Sequence, residues 1–241
     1  MRPSPMRRRR PDPLRCGSSW GFDRGYNARA MWRWLSVLCT LLVLLILAVP
    51  ANADTWYRGA LLRHSLEPPY RSQLDDSIYA RSDCGPAVLG MVLADYGVDE
   101  DTLELRRLTH TYQGTWPTVR VGTALQHVAH VAEDFGLSTY GLYDEPDGFH
   151  QWTVDEVFAQ VGAAHLVIPL VRFGLLPGHE DSGVRWGHYI LLYATQGDGF
   201  LYQDPAVRPI EQGRARWISR DQLDRAMAPT WPRRQAVALG G

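Results

Sequence analysis

Lysine is absent from this 241-residue chain: every one of its 25 basic residues is Arg. We read that as a compositional bias of the source and not as a functional mark. Cysteine is scarce as well, with three in all, too few for a disulfide scaffold. Glycine (22) and proline (16) are ordinary, which excludes collagen-like and low-complexity chains. A 45% hydrophobic and 21% charged composition excludes a wholly disordered chain. The length allows one domain or two small ones.

The formal charge of −1 conceals an asymmetry. Residues 1–53 hold nine Arg and two acids, Asp12 and Asp23. Residues 54–241 keep the other 16 Arg and 24 acids, a net of −8 with His neutral. A body that acidic argues against nucleic-acid binding, which needs positive patches. The Arg7–Arg10 run points to targeting by its position.

Leu35 to Val49 carries no charge over fifteen residues. Arg33 precedes it, and Pro50 with Ala51-Asn52-Ala53 follows. These are the three regions of a secretory signal. A membrane span usually needs about 20 apolar residues. Cleavage after Ala53 is the expectation, an uncleaved anchor the alternative. Translation starts at Met1 or at Met31. The protein is therefore expected to be exported, secreted, periplasmic or in the cell envelope, with a membrane link only through 35–49. Residues 1–53 form the extension plus signal, and residues 54–241 one domain. Cys16 and Cys39 leave with the signal or stay in the membrane, so Cys84 is the lone thiol of the mature body. Such a thiol is either buried and inert or present to react.

Residues 54–72 read as an extended lead-in, since Pro68-Pro69 blocks helix. Ser82-Asp83-Cys84-Gly85-Pro86 opens an apolar run. Pro86 suits the first turn, Asp83 or Ser82 the cap, and Gly97 the stop. Further helices are expected at 102–109, 118–135, 153–161 and 220–227, with Thr153 and Glu156 forming a capping box. Strands are expected at 137–143, 165–173, 188–195, 200–203, 214–218 and 235–239. Pro169 places 165–173 at an edge or a bulge. Helices precede strands, so the class is α+β, a helical half packed on an antiparallel sheet.

Cys84 sits where a helix begins. The free N–H groups and dipole there favour a thiolate, the nucleophilic form. A small buried hydrophobe is the bland alternative. His188, in Trp186-Gly187-His188-Tyr189, starts a strand. The turn at 196–199 folds the chain back, so Asp204 returns beside His188. An acid beside an imidazole fixes its tautomer and stabilises the imidazolium.

Asp83-Cys84-Gly85-Pro86, Gly187-His188-Tyr189 and Gly199-Phe200-Leu201-Tyr202-Gln203-Asp204-Pro205 resemble the three motifs of the bacteriocin-processing, double-glycine-leader peptidases and their stand-alone relatives. Pro68-Pro69-Tyr70-Arg71-Ser72-Gln73 is similar to that family's lead-in ending in glutamine. The resemblance spans about Leu66 to Met227. It implies a papain-like fold and a peptide substrate, with no cofactor or metal. It implies Cys84 as nucleophile, His188 as general base and acid, Asp204 as its orienter, and Gln73 as an oxyanion donor beside the Cys84 N–H. The chain lacks the multiple spans and the GxxxxGK[ST] loop of transporter-fused members, so leader processing does not carry over. Two alternatives share the fold: a non-catalytic peptide-binding module, and an acyl transferase on the same triad. His127 and His130, with Glu133 near, have metal-ligand spacing but no completing set, and read as a helix face. His179-Glu180-Asp181 reads as solvated loop, within a 175–185 segment that could flank a cleft. Tyr189, Tyr193, Trp186 and Trp152 either line a groove or pack the core.

Overall fold

A computed structural model describes residues 66–145 and 148–241. The signal segment, Cys16, Cys39 and the first part of the lead-in lie outside the described residues. The first helix, α1 (Cys84–Asp95), is buried along its whole length except at Cys84 and Ala94. This is what apolar residues on every face of a helix require. α2 (Thr102–Gln113) runs past the expected Thr109 and stops at Gly114, whose φ of 67° ends it in the left-handed conformation. α3 (Leu125–Asp134) starts seven residues later than expected. The carbonyls of Pro117 and Val119 accept from Arg106, and Gln113 bonds both Gly122 O and Ala124 N. The backbone of that stretch is thus tied to α2 side chains and not to a helical ladder.

The strands β1 (Ser138–Tyr140), β2 (Tyr143–Glu145), β3 (Gly148–Phe149), β4 (Leu166–Arg172), β5 (Gly187–Tyr189), β6 (Leu191–Thr195), β7 (Gly199–Gln203), β8 (Arg216–Ser219) and β9 (Ala236–Gly240) alternate with α4 (Val154–Gly162), α5 (Ile210–Gly213) and α6 (Arg220–Met227). The strand expected over 137–143 is cut at Gly141 (φ 70°), and β2 pairs with β3 in a separate two-stranded ribbon. The main sheet runs β1-β9-β4-β6-β7-β8, with β5 also on β4, and every pair is antiparallel. The fold is therefore α+β. The C-terminal strand does not close the sheet at an edge but enters it between β1 and β4.

Pro169 corrects another expectation, because β4 is central. Leu170 N–H bonds Gln235 O on the β9 side, so alternation points the missing Pro169 donor the other way. There it meets the one break in a common register: Val167 pairs with Leu192 and Leu170 with Tyr189, leaving Ile190 unpaired between β5 and β6. The strand expected over 188–195 is this single run, interrupted opposite the proline.

Period-two alternation gives the sheet two apolar faces. Leu166, Ile168, Leu191, Val237 and Leu239 pack with α1, α2 and α3. Val167, Val171, Ile190, Leu192, Ala236 and Ala238 pack with α4 and α6. Helices thus cover both faces, where the sequence reading placed one helical half. Capping boxes at Thr153–Glu156 and Ser219–Gln222 start α4 and α6. Among the described residues no helix is long and apolar enough to cross a membrane.

Candidate active site

Cys84 is the first residue of α1 and half-buried. Gly85 behind it is required by space: a Cβ there would lie 2.4 Å from Thr123 Oγ1 and 3.1 Å from Val128 Cγ2. Asp83 precedes the helix but does not cap it with its side chain. Instead its carboxylate pairs with Arg106, both side chains being shut away from solvent. Burial pushes the Asp83 carboxyl up to about 6, against the Arg106 charge and hydrogen bond, which pull it down. Arg106 also donates to Pro117 O (2.7 Å), Val119 O and Ser82 Oγ (3.2 Å), and lies 4.4 Å over the Tyr79 ring. One guanidinium thereby holds the start of α1 to α2 and to the segment before α3.

The β6–β7 hairpin turns at Gly197 (φ 58°), and its register sets Leu191 opposite Gln203. Asp204, the next residue, therefore meets His188 from the neighbouring β5. His188 Nε2 lies 2.9 Å from Asp204 Oδ1, with both residues buried. The Cys84 thiol lies near enough to His188 to help raise its pKa. Since Nε2 faces Asp204, Nδ1 is the nitrogen left for sulfur. The helix start, the strand start and the hairpin end thus converge on one imidazole. Burial presses the His188 pKa down. The Asp204 charge and the hydrogen bond it accepts from His188, with a smaller contribution from Cys84, outweigh it and hold the imidazolium to about 10. Burial likewise works to raise the Asp204 pKa, but the His188 charge, two histidine hydrogen bonds and the Ala206 N–H hold it well below the usual carboxylate range.

Asp204 has a second partner that the sequence reading missed. His179 Nε2 lies 2.8 Å from Asp204 Oδ2. His179 is thus not solvated loop; its side chain is 16% exposed. No spacing rule links it to Asp204, because the loop bearing it follows a different strand.

Gln73 is buried and is carried by the lead-in, which runs along 203–207. Gln203 donates to Pro68 O, Gln73 N–H to Pro205 O (2.8 Å), and Tyr70 Oη reaches both Asp204 O (2.8 Å) and Val207 O (2.7 Å). Gln73 Nε2 donates one hydrogen to Ala80 O at 2.7 Å, which leaves its second.

A cavity of about 590 Å³ opens beside Cys84. Tyr189, Phe149, Leu170 and Trp231 give it apolar walls, and Arg172 and Arg185 give it charge. The 175–185 segment flanks it through Arg185. Trp152 and Tyr193 are core, and Trp186 is exposed. His127 and His130 are half-buried, 6.4 Å apart between ring centroids. Among the described residues no three His, Cys, Asp or Glu side chains cluster for a metal.

Fold and site together define an α+β domain with a thiol, an imidazole and a carboxylate in series. No family model matches the chain, and no curated protein matches it. Among solved structures it is similar to the peptidase domain of Streptococcus ComA, a bi-functional ABC transporter of a quorum-sensing pathway, at 18% identity and a TM-score of 0.43 over 73% of this chain and 98% of that one. It is also similar to a double-glycine-motif protease of an AMS/PCAT transporter, solved with its leader peptide (17% identity, TM-score 0.44, 74% and 94% covered). A third is a C39-like peptidase from Bacillus anthracis (15%, 0.49, 74% and 97%).

Proposed function

We propose that the protein is a cysteine peptidase, hydrolysing an amide bond of a peptide through a thioester. The observation that carries this reading is the buried His188–Asp204 pair, 2.9 Å apart, beside the Cys84 thiol at the start of α1. With His188 held as the imidazolium, Nδ1 already carries its proton, and Cys84 attacks the scissile carbonyl carbon as the thiolate. The oxyanion is met by the Cys84 backbone N–H, free in the first helical turn, and by the remaining Gln73 Nε2 hydrogen. His188 returns the proton to the leaving amine as the C–N bond breaks. Water, deprotonated by His188, then cleaves the thioester and frees the acid and the thiol. Asp204 keeps the ring in its tautomer and balances the imidazolium throughout. The cavity beside Cys84 receives the substrate side chains. Export by the signal within residues 1–53, with cleavage after Ala53, belongs to the same proposal.

The test is turnover of a mixed-sequence fluorogenic peptide library, with products read by mass spectrometry. We expect cleavage that Cys84→Ala abolishes and a thioester adduct mapping to Cys84. Undiminished cleavage by Cys84→Ala, or products carrying an added amine in place of free acid, would overturn the hydrolase reading.

A further inference from the structure

The segment between β4 and β5 is built and not loose. Leu176 is fully buried, its N–H bonds Phe173 O at 3.0 Å, and His179 N–H bonds Leu176 O at 3.0 Å. Arg216 of β8 donates to Pro177 O. Gly178, at φ 78°, makes the turn that delivers His179. The His179 ring lies against Phe173 at 4.1 Å between centroids, and the edge of Phe173 meets His188 at 5.2 Å and 89°. One phenyl ring thus separates two imidazoles that grip opposite oxygens of one buried carboxylate. His188 and the Ala206 N–H (2.9 Å) both hold Oδ1, and about that one anchored oxygen the carboxylate can still turn. A donor on the second oxygen removes that freedom and spares a buried lone pair from standing unsatisfied.

We propose that His179 is a positioning residue of this site: its Nε2–H fixes the Asp204 carboxylate so that the other oxygen stays on His188. The proposal rests on the cysteine-peptidase reading above. His179 does not line the cavity beside Cys84; it reaches the site through its bond to Asp204 and its packing on Phe173, and the Gln and Leu variants separate the two. Other charged or titratable groups around this carboxylate are Tyr70 from the lead-in, Tyr202 from β7, Arg216 from β8 and Glu180 beside His179.

The test needs no natural substrate. The full chain is alkylated with iodoacetamide from pH 4 to 10, the Cys84 adduct is quantified by peptide mapping, and folding is checked by thermal melting. Variants are His179→Gln, which keeps an N–H donor, and His179→Leu, which keeps bulk without one. In the wild type we expect Cys84 to be alkylated at pH 6 much faster than a free cysteine thiol. His179→Leu should lose about tenfold at pH 6, in line with one hydrogen bond to a charged group. His179→Gln should recover most of that loss. Wild-type alkylation no faster than that of a free cysteine would overturn the peptidase reading itself. Fast wild-type alkylation with His179→Leu unchanged would overturn only the role of His179, as would equal impairment in Leu and Gln.

Discussion

Asp83 and Arg106 form a fully buried ion pair immediately before the helix that opens with Cys84. Truncating one partner of such a pair leaves an uncompensated buried charge. Arg106→Met should therefore cost about 3–5 kcal/mol in urea unfolding. The cost should depend on pH. An acid whose folded pKa lies above its unfolded value binds more protons when folded, so stability falls as pH rises through that window. For Asp83 the window already runs from about 4 to about 6 with Arg106 present. Without Arg106 it extends upward, so the variant should lose more at pH 8 than at pH 5. Equal losses at both would refute this account.

Gly85→Ala tests the spacing behind Cys84. Alanine is the better helix former by about 1 kcal/mol, yet its Cβ would overlap Thr123 Oγ1. We expect net destabilisation of about 1–3 kcal/mol and slower Cys84 alkylation. Adding Thr123→Ala should restore much of both. A more stable single variant would show that the overlap is relieved cheaply.

His188 links the site to stability. Its folded pKa is raised to about 10, so its stabilisation is complete below pH 6.5 and fades as pH climbs to about 10. The unfolding free energy of wild type minus His188→Gln should shrink steadily from pH 6.5 to 9.5. A flat difference would mean that the ring is not held charged by Asp204.

Trp231 lines the cavity beside Cys84 and is 88% exposed. Trp231→Ala should leave unfolding within about 0.5 kcal/mol of wild type while raising KM for library peptides with little change in kcat. A fall in kcat at unchanged KM would place Trp231 outside substrate binding.

Local signals were legible. The helix start at Cys84, the hairpin at 196–199 and the capping box at Thr153 are each set by a few neighbouring residues, and the structure places them there. The juxtaposition of His188 and Asp204 was legible for the same reason, since hairpin register is local arithmetic. Pro169 misled because the rule concerns the donor it lacks, and the break at Ile190 that accommodates it lies between two strands further along the chain. The late start of α3 was hidden because its competitors for backbone bonds are Arg106 and Gln113 on another helix.

The amino-acid order by itself determined the strand alternation, the helix caps and the turn that returns Asp204 to His188, because each depends on dihedral preference and short-range spacing. Only the tertiary structure decided which distant groups close on them: β9 between β1 and β4, Arg106 on Asp83, the thiol against the imidazole, and His179 on the far oxygen of Asp204. Those closures are made by packing both faces of one sheet, and no spacing along the chain encodes which buried charge will find which donor.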